Sequence, residues 1–158
     1  MTYRLAPLVL AAFVVAETTA QAAPIIRAPS NSPIAISPAV TVPPSTTLVF
    51  LSGALPTITD RAAPSSTEVQ ARSALAKLQE VLKAQGLGLA DVVKANVFLV
   101  GDPAKGGEID FQGLNAAWST AFGTADQPNK PARTTVKVAG LVLPGALVEI
   151  EFVAARTN

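Results

Sequence analysis

The chain has 158 residues, and its 12 basic and 11 acidic side chains leave a formal net charge of +1. It contains no Cys and no His, which excludes disulfides, thiolate nucleophiles, imidazole bases and the usual zinc sites. A charge this close to neutral gives no electrostatic footprint for nucleic acid. No acidic cluster has the spacing of a cation-binding loop, so we expect neither a metal nor a cofactor. Any catalysis falls to Arg, Lys, Glu, Asp, Tyr, Ser, Thr, backbone groups and water.

The first 22 residues have the layout of a secretory signal peptide. Arg4 precedes the apolar run 5–16, and Ala20-Gln21-Ala22 supplies the small residues of an A-x-A cleavage site. The run is shorter than the roughly 20 residues that a membrane-spanning helix needs. We therefore expect cleavage after Ala22 and a periplasmic or secreted protein without stable membrane insertion, with an uncleaved anchor as the alternative. The leader raises the mean hydropathy of +0.40, so that value does not indicate an integral membrane protein.

Prolines dominate the next segment and set the start of the folded domain. They remove backbone donors and bias the preceding residues towards extended geometry. We therefore expect residues 23–33 to form a flexible, Pro-rich tail and residues 34–158 to form one domain. Within the domain, residues 34–42 suit an edge strand, where proline is tolerated. The apolar run 47–52 is consistent with a buried strand that ends at Gly53.

The first predicted helix follows this strand. Ser65 and Glu68 fit a capping box at its start, and Gly86 and Gly88 stop it. Its apolar residues recur at helical spacing and indicate a core helix packed on a sheet. They are Ala71, Leu75, Leu78 and Leu82.

The second predicted helix covers about residues 108–122. Its apolar stripe consists of Phe111, Leu114, Trp118 and Phe122. Asn115 borders the stripe, and a buried amide needs hydrogen-bond partners. It is therefore either a hydrogen-bonded structural residue or part of a site.

Three more strands are predicted at residues 91–100, 130–138 and 145–152. Side chains alternate between the faces of a strand, so Arg133 and Thr135 share one face of the second of these strands. The last two strands most economically pair as a hairpin. Glu149 and Glu151 share a face of the last strand, so the Arg133 guanidinium and one of these carboxylates could then face one cavity. A solvated face with cross-strand ion pairs is the simpler alternative.

The order of elements is strand, strand, helix, strand, helix, strand, strand. This order predicts an α+β domain with both helices on one face of a single sheet. Apolar residues remain on both sides of the sheet, including Phe50, Val97 and Phe98. Burying the second face against copies of the same chain is an economical solution.

Several segments together resemble the reactive intermediate deaminase family, also called Rid or YjgF. They are LSGALP (51–56), DVVKANVFL (91–99), FQGLN (111–115), PARTTV (131–136) and GALVEIE (145–151). Any one of them alone would be a weak signal, but their order along most of the chain is specific. The resemblance implies a chorismate-mutase-like α+β fold of the YjgF type. It also implies a homotrimer whose small-molecule sites lie in clefts between neighbouring subunits.

The resemblance also implies an activity and roles for particular residues. Family members with deaminase activity hydrolyse 2-imino acids to 2-oxo acids and ammonia. Arg133 stands where they hold the substrate carboxylate, and a planar guanidinium suits that role because it donates two parallel hydrogen bonds. Glu149 stands where they handle the attacking water. These two are the expected catalytic residues.

Other residues are expected to line the substrate site. Ser52 and Asn115 match supporting polar groups of the family. Thr135 replaces a common cysteine whose main-chain carbonyl can orient water or the imine nitrogen, so threonine is compatible with turnover. Ile36 stands where the family has a tyrosine near the substrate, which removes a hydroxyl and an aromatic face from the pocket. With Arg133, these residues form the predicted substrate-binding set.

The leading hypothesis is therefore a hydrolase of small 2-imino acids. The alternative is a non-catalytic trimeric module that binds small carboxylate metabolites in the same clefts. Ribonuclease or chaperone activity, attributed to some relatives, is disfavoured by the near-neutral charge and the single Tyr and Trp. An exported deaminase also needs an imine source outside the cytoplasm, such as an exported amine or amino-acid oxidase.

Overall fold

The computed structural model describes residues 23–60 and 65–157. The predicted signal peptide, residues 1–22, lies outside the described residues. Within the described part, no helix has the length and apolarity needed to cross a bilayer.

A four-stranded mixed sheet forms the centre of the domain. In chain order the elements are β1 (Ile26–Arg27), β2 (Val40–Thr41), β3 (Thr46–Ala54), α1 (Thr67–Ala84), β4 (Val92–Leu99), α2 (Phe111–Trp118), β5 (Ala132–Lys137) and β6 (Val148–Thr157). The order of strands across the main sheet is β3-β6-β4-β5, and β1 pairs with β2 separately. β6 is antiparallel to both of its neighbours, whereas β4 and β5 are parallel.

Both helices pack on one face of the main sheet, which confirms the predicted α+β arrangement. Leu78 and Leu82 of α1 and Trp118 of α2 are fully buried there, together with the inward residues of β4 and β6. The rings of Trp118 and Phe122 lie 4.4 Å apart between centroids, and Phe152 meets Phe122 edge-on at 5.8 Å. Aromatic pairs in such geometries add to the stability that their buried area provides.

The predicted hairpin of the last two strands is wrong. β4 lies between β5 and β6 and pairs with both of them. The physical reason is the helix that connects β4 to β5, because a crossover through a helix returns the chain parallel to the strand that it left. β5 therefore takes one edge of β4 and leaves the other edge to β6.

The segment before the main sheet is held to the domain at several points. Within the predicted flexible tail, Ile26 and Arg27 pair with β2, and Arg27 Nη2 donates to the carbonyls of Ala90 and Val92 at 2.8 and 3.2 Å. Of the strand predicted at residues 34–42, only Val40–Thr41 is present. The rest is an irregular segment, because its prolines remove the donors that a ladder needs.

Helix boundaries differ slightly from the predicted ones. Ser66, not Ser65, caps α1 by accepting from the Val69 amide. Glu68 then pairs with Arg72 one turn later instead of closing a capping box. α2 is shorter than predicted, since its cap is Asp110 and its last residue is Trp118.

A buried glutamine fixes the start of β6 against α1. Gln70 is fully buried, its Nε2 donates to the carbonyls of Ser65 and Gly145, and its Oε1 accepts from the Leu147 amide at 2.8 Å. Every polar atom of this side chain therefore has a partner, as buried amides require. The clamp sets the position at which β6, and hence Glu149, begins.

Candidate functional site

Arg133 lies on the helix-covered face of the edge strand β5. In the sheet register it stands beside Ala95 of β4, which in turn stands beside Phe152 of β6. Its guanidinium carbon is 4.7 Å from the centroid of the Trp118 ring and 5.6 Å from that of Phe111. Such positions over aromatic faces are attractive for a cation.

A neutral side chain, not a carboxylate, orients this guanidinium. Arg133 Nη2 donates to Asn115 Oδ1 at 2.8 Å. Among the described residues, Arg133 belongs to none of the ion pairs. Asn115 is therefore a hydrogen-bonded residue, and its partner is the arginine that the sequence predicts to bind the substrate.

The electrostatics of Arg133 favour an anionic partner. Burial lowers the pKa of Arg133 to about 10, which still leaves the guanidinium charged at neutral pH. Its Nη1 is buried and has no hydrogen-bond partner among the described residues. A buried, charged donor without an acceptor is costly, and a carboxylate would supply both the acceptor and the opposite charge.

Two further predicted residues belong to the same region. Thr135 follows Arg133 by two residues on the same face of β5, and its Oγ1 is also buried without a partner in the described part of the chain. Ile36 is half-buried and packs on the core. The residues on either side of Ile36 bond to the site's framework: the Ala35 carbonyl accepts from Trp118 Nε1 at 2.8 Å, and the Ser37 amide donates to the Pro131 carbonyl at 2.9 Å.

Glu149 and Ser52 lie elsewhere in the same chain. Glu149 stands beside Phe98 in the register, on the face of the sheet that neither α1 nor α2 covers. The expectation that Arg133 and Glu149 face one cavity is therefore wrong within one chain, because the two side chains project from opposite faces and β4 separates their strands. Ser52 is exposed and lines an open cavity of about 500 Å³ between β3 and α1.

The glycine that follows Ser52 makes room for Glu149. A Cβ atom added to Gly53 would overlap Glu149 Oε1. The position coincides with an irregularity in the pairing of β3 with β6, between Leu51 and Ala54. Gly53 therefore allows the carboxylate to lie directly against the backbone of β3.

Sequence reasoning missed three contributors to the two regions. Phe111 and Trp118 were assigned only to the core, yet they flank the guanidinium, and Gly53 was assigned only to the end of a strand. One signal was available: Phe111, Asn115 and Trp118 are four and three residues apart, so they share one side of a helix. No pattern in the sequence indicates the closeness of Gly53 to Glu149.

The uncovered face of the sheet exposes several large apolar side chains. Phe50 is 74 % exposed there, and Leu48 and Val136 are also exposed. Glu149 and Glu151 lie among these residues, and Asn96 Nδ2 donates to Glu151 Oε1 at 3.0 Å. Large apolar side chains are thus left exposed at both edges of this face, and exposed apolar surface is a feature of interaction sites.

Comparison with known proteins decides the family. The model of the family described as endoribonuclease L-PSP matches residues 29–156. The chain belongs to this family, which includes the YjgF, RutC and Rid proteins. The family expected from the sequence motifs is thereby confirmed.

Individual relatives of this Rid-family chain agree with the match. A RutC family protein of Haemophilus influenzae is 36 % identical over 127 residues, covering 80 % of this chain and 92 % of that protein. A 2-iminobutanoate/2-iminopropanoate deaminase of Escherichia coli is 34 % identical over 130 residues, covering 82 % of this chain and 95 % of that protein.

Solved structures show the same fold. A Rid-family protein of Yersinia pestis superposes with a TM-score of 0.64 over 82 % of this chain and 96 % of its own, at 24 % identity. A YjgF-family protein of Neisseria meningitidis superposes with a TM-score of 0.55 at 27 % identity. The match covers 85 % of this chain and 97 % of that protein. The predicted YjgF-type fold is confirmed.

The contact between Asn115 and Arg133 gives a prediction for stability. Asn115→Leu removes the acceptor of Arg133 Nη2 and leaves a second guanidinium nitrogen unpaired. The free energy of unfolding, measured by urea denaturation, should fall by about 1–3 kcal/mol. Gln112→Leu, at an exposed position of the same helix, is the matched control and should stay within about 0.5 kcal/mol of the parent. Equal effects of the two substitutions would contradict the assignment.

Proposed function

We propose that this Rid-family protein hydrolyses small 2-imino acids to 2-oxo acids and ammonia. The observation that supports the proposal most directly is the partly buried Arg133 guanidinium, which is charged, has no carboxylate partner among the described residues and leaves its buried Nη1 without an acceptor. The Escherichia coli relative whose name gives this activity supports the same reading.

Arg133 holds the substrate carboxylate in this proposal. The flanking rings of Trp118 and Phe111 restrict the plane of the guanidinium, and Asn115 fixes one edge of it. A carboxylate bound at Nη1 would receive a charge-assisted hydrogen bond in a site partly shielded from water, where such bonds are strong. Binding one end of the substrate in this way sets the position of the imine carbon.

Glu149 assists the attacking water. Its carboxylate accepts a proton as the water oxygen bonds to the imine carbon, and it returns that proton to the nitrogen. The product of this addition is a carbinolamine, whose hydroxyl proton then passes to the nitrogen, again through Glu149. The carbon–nitrogen bond breaks, ammonia leaves and the 2-oxo acid remains. These reaction steps need no metal or cofactor.

The two residues meet across a subunit boundary in the proposed assembly. Within one chain they lie on opposite faces of the sheet, so one site needs Arg133 of one subunit and Glu149 of a neighbour. The uncovered face, which contains Glu149 and exposes the apolar side chain of Phe50, supports such an association. A homotrimer with sites in the clefts between subunits, as the family resemblance implies, satisfies this requirement through head-to-tail contacts that close into a ring.

An exported location is part of the proposal. It is supported by the signal-like pattern of residues 1–22 and requires an imine source outside the cytoplasm, such as an oxidase of amines or amino acids. The ribonuclease activity in the family's description is less well supported here. The net charge of +1 and the single Tyr and Trp offer little for binding phosphates or stacking bases.

A coupled assay tests the activity. An L-amino-acid oxidase generates 2-imino acids, semicarbazide traps those that escape hydrolysis, and the protein competes with the trap. The parent should suppress the semicarbazone signal. Arg133→Ala should lower kcat/KM by about 100-fold, since it removes charge-assisted hydrogen bonds worth about 1.5–3 kcal/mol each. Arg72→Ala, at an exposed position of α1, is the control and should leave the rate unchanged.

The outcome of this assay separates catalysis from binding. Equal rates for the parent and Arg133→Ala would contradict the role of Arg133. If the folded parent shows no hydrolysis but binds 2-oxobutanoate through Arg133, the protein is the trimeric carboxylate-binding module of the alternative hypothesis.

Mixing two inactive variants tests the shared site. Arg133→Ala and Glu149→Gln subunits, refolded together at equal amounts, should regain activity because about a quarter of randomly formed sites contain both parental residues. Sedimentation should show the same assembly for the mixture and the parent. A mixture no more active than the separate variants would contradict a site shared between subunits.

The contact between Gly53 and Glu149 gives a further prediction. Gly53→Ala pushes the carboxylate away from its position, so kcat should fall about 10- to 100-fold while KM changes little, in line with the loss of a positioned general base. Gly140→Ala is the matched control, because a Cβ atom there meets nothing within 4 Å. Equal kcat values for the two variants would show that the placement of Glu149 does not depend on Gly53.

A further inference from the structure

The segment between β4 and α2 contains a closed turn, residues 101–110, which we call the strap. The Asp102 amide donates to the Glu108 carbonyl at 2.8 Å, and the Gly107 amide donates to the Asp102 carbonyl at 2.9 Å. Asp102 is buried, whereas residues 103–108 are exposed. The strap is therefore a surface segment whose conformation is set by its own backbone hydrogen bonds.

One anchor of the strap is on the strand that contains Arg133. Lys137 Nζ donates to the Gly107 carbonyl at 3.0 Å and lies 3.4 Å from Glu108 Oε2. Positions 133 and 137 are four residues apart, so their side chains project from the same face of β5. The strap thus meets β5 on the face from which Arg133 projects.

The other anchor is at the first turn of α2. Lys105 Nζ lies 3.4 Å from Asp110 Oδ1, and the same oxygen caps the helix by accepting from the Gly113 amide at 3.0 Å. The residue after Asp110 is Phe111, whose ring centroid is 5.6 Å from the Arg133 guanidinium carbon. The strap therefore leads directly into one of the two rings that flank the guanidinium.

We infer that the strap positions Phe111 against Arg133 and thereby sets how tightly the site holds a carboxylate ligand. The inference rests on the proposed function, in which Arg133 binds the substrate carboxylate. A ring beside the guanidinium excludes water on that side, and the exclusion of water strengthens a charge-assisted hydrogen bond to a carboxylate. Lys105 and Lys137 are positioning residues, because they act through the strap and the start of α2. The strap should not affect Glu149, which projects from the opposite face of the sheet.

Gly101 is the position at which a substitution loosens the strap most directly. A Cβ atom added there would overlap the Gly107 carbonyl, which is the acceptor of Lys137 Nζ. Because this carbonyl belongs to the backbone, it can move away only if the strap moves. Gly88→Ala is the matched control, since a Cβ atom at that position meets nothing within 4 Å.

The test measures the binding of 2-oxobutanoate to the assembled protein by calorimetry. Lys137→Met keeps the length of the side chain and removes its ammonium group. It should raise the Kd about 3-fold, in line with the loss of one hydrogen bond and one exposed ion pair, and Lys137→Arg should restore most of the affinity. Gly101→Ala should raise the Kd about 10-fold. Lys83→Met, at an exposed position of α1, should bind like the parent.

Turnover in the semicarbazide assay gives a second readout. In Lys137→Met and Gly101→Ala, KM should rise by the same factors as the Kd, while kcat stays within about 2-fold of the parent because the water-handling carboxylate is unchanged. If Gly101→Ala does not fold, Lys137→Met decides the test, since the side chain at position 137 is half-exposed.

The other outcomes separate the strap from the carboxylate site. A parent that does not bind 2-oxobutanoate, or binds it no better than Arg133→Ala, refutes the carboxylate site and the role of the strap with it. If Arg133→Ala loses binding while Lys137→Met and Gly101→Ala keep the parental Kd, the inference is wrong and the carboxylate site stands. If the strap variants lose kcat and stability to urea as well as affinity, the strap has only a structural role.

Discussion

The site depends on one partly buried cation that pairs with no carboxylate of the described residues. Arg133 lies against Trp118 and donates to the neutral amide of Asn115, so its orientation is fixed while its charge stays uncompensated within the described residues. A carboxylate at position 115 would satisfy the cation and leave less attraction for an anionic ligand. Trp118 in turn is held by the Ala35 carbonyl. Three parts of the fold thus fix the orientation of the Arg133 side chain: the irregular segment before β3, helix α2 and the edge strand of the sheet.

The order of strands explains why a single chain contains only parts of the proposed site. The crossover through α2 places β5 beside β4 and assigns β6 to the other edge of that strand. Arg133 then projects towards the helices and Glu149 projects away from them. The face around Glu149 also presents exposed apolar side chains such as Phe50. The same topology that separates the two charges therefore provides the surface through which a second subunit can bring them together.

Local patterns predicted much of the fold and of the Arg133 region, but pairings between distant segments were not accessible. The periodicity of α1 and the alternation along β5 and β6 depend on near neighbours in sequence, and both were predicted correctly. The hairpin failed because the partner of β5 is chosen by the connection through α2, which is a property of the whole sheet. The closeness of Gly53 to Glu149 was missed for the same reason, since it depends on an irregular pairing of β3 with β6.

The replacement at position 36 bears on whether the site retains the chemistry of its relatives. Where the family resemblance places a tyrosine, Ile36 offers neither a ring nor a hydroxyl. Two neighbouring features supply both properties: the rings of Phe111 and Trp118 flank the guanidinium, and Thr135 places a hydroxyl without a partner on the same face of β5. The loss of tyrosine therefore does not by itself argue against turnover.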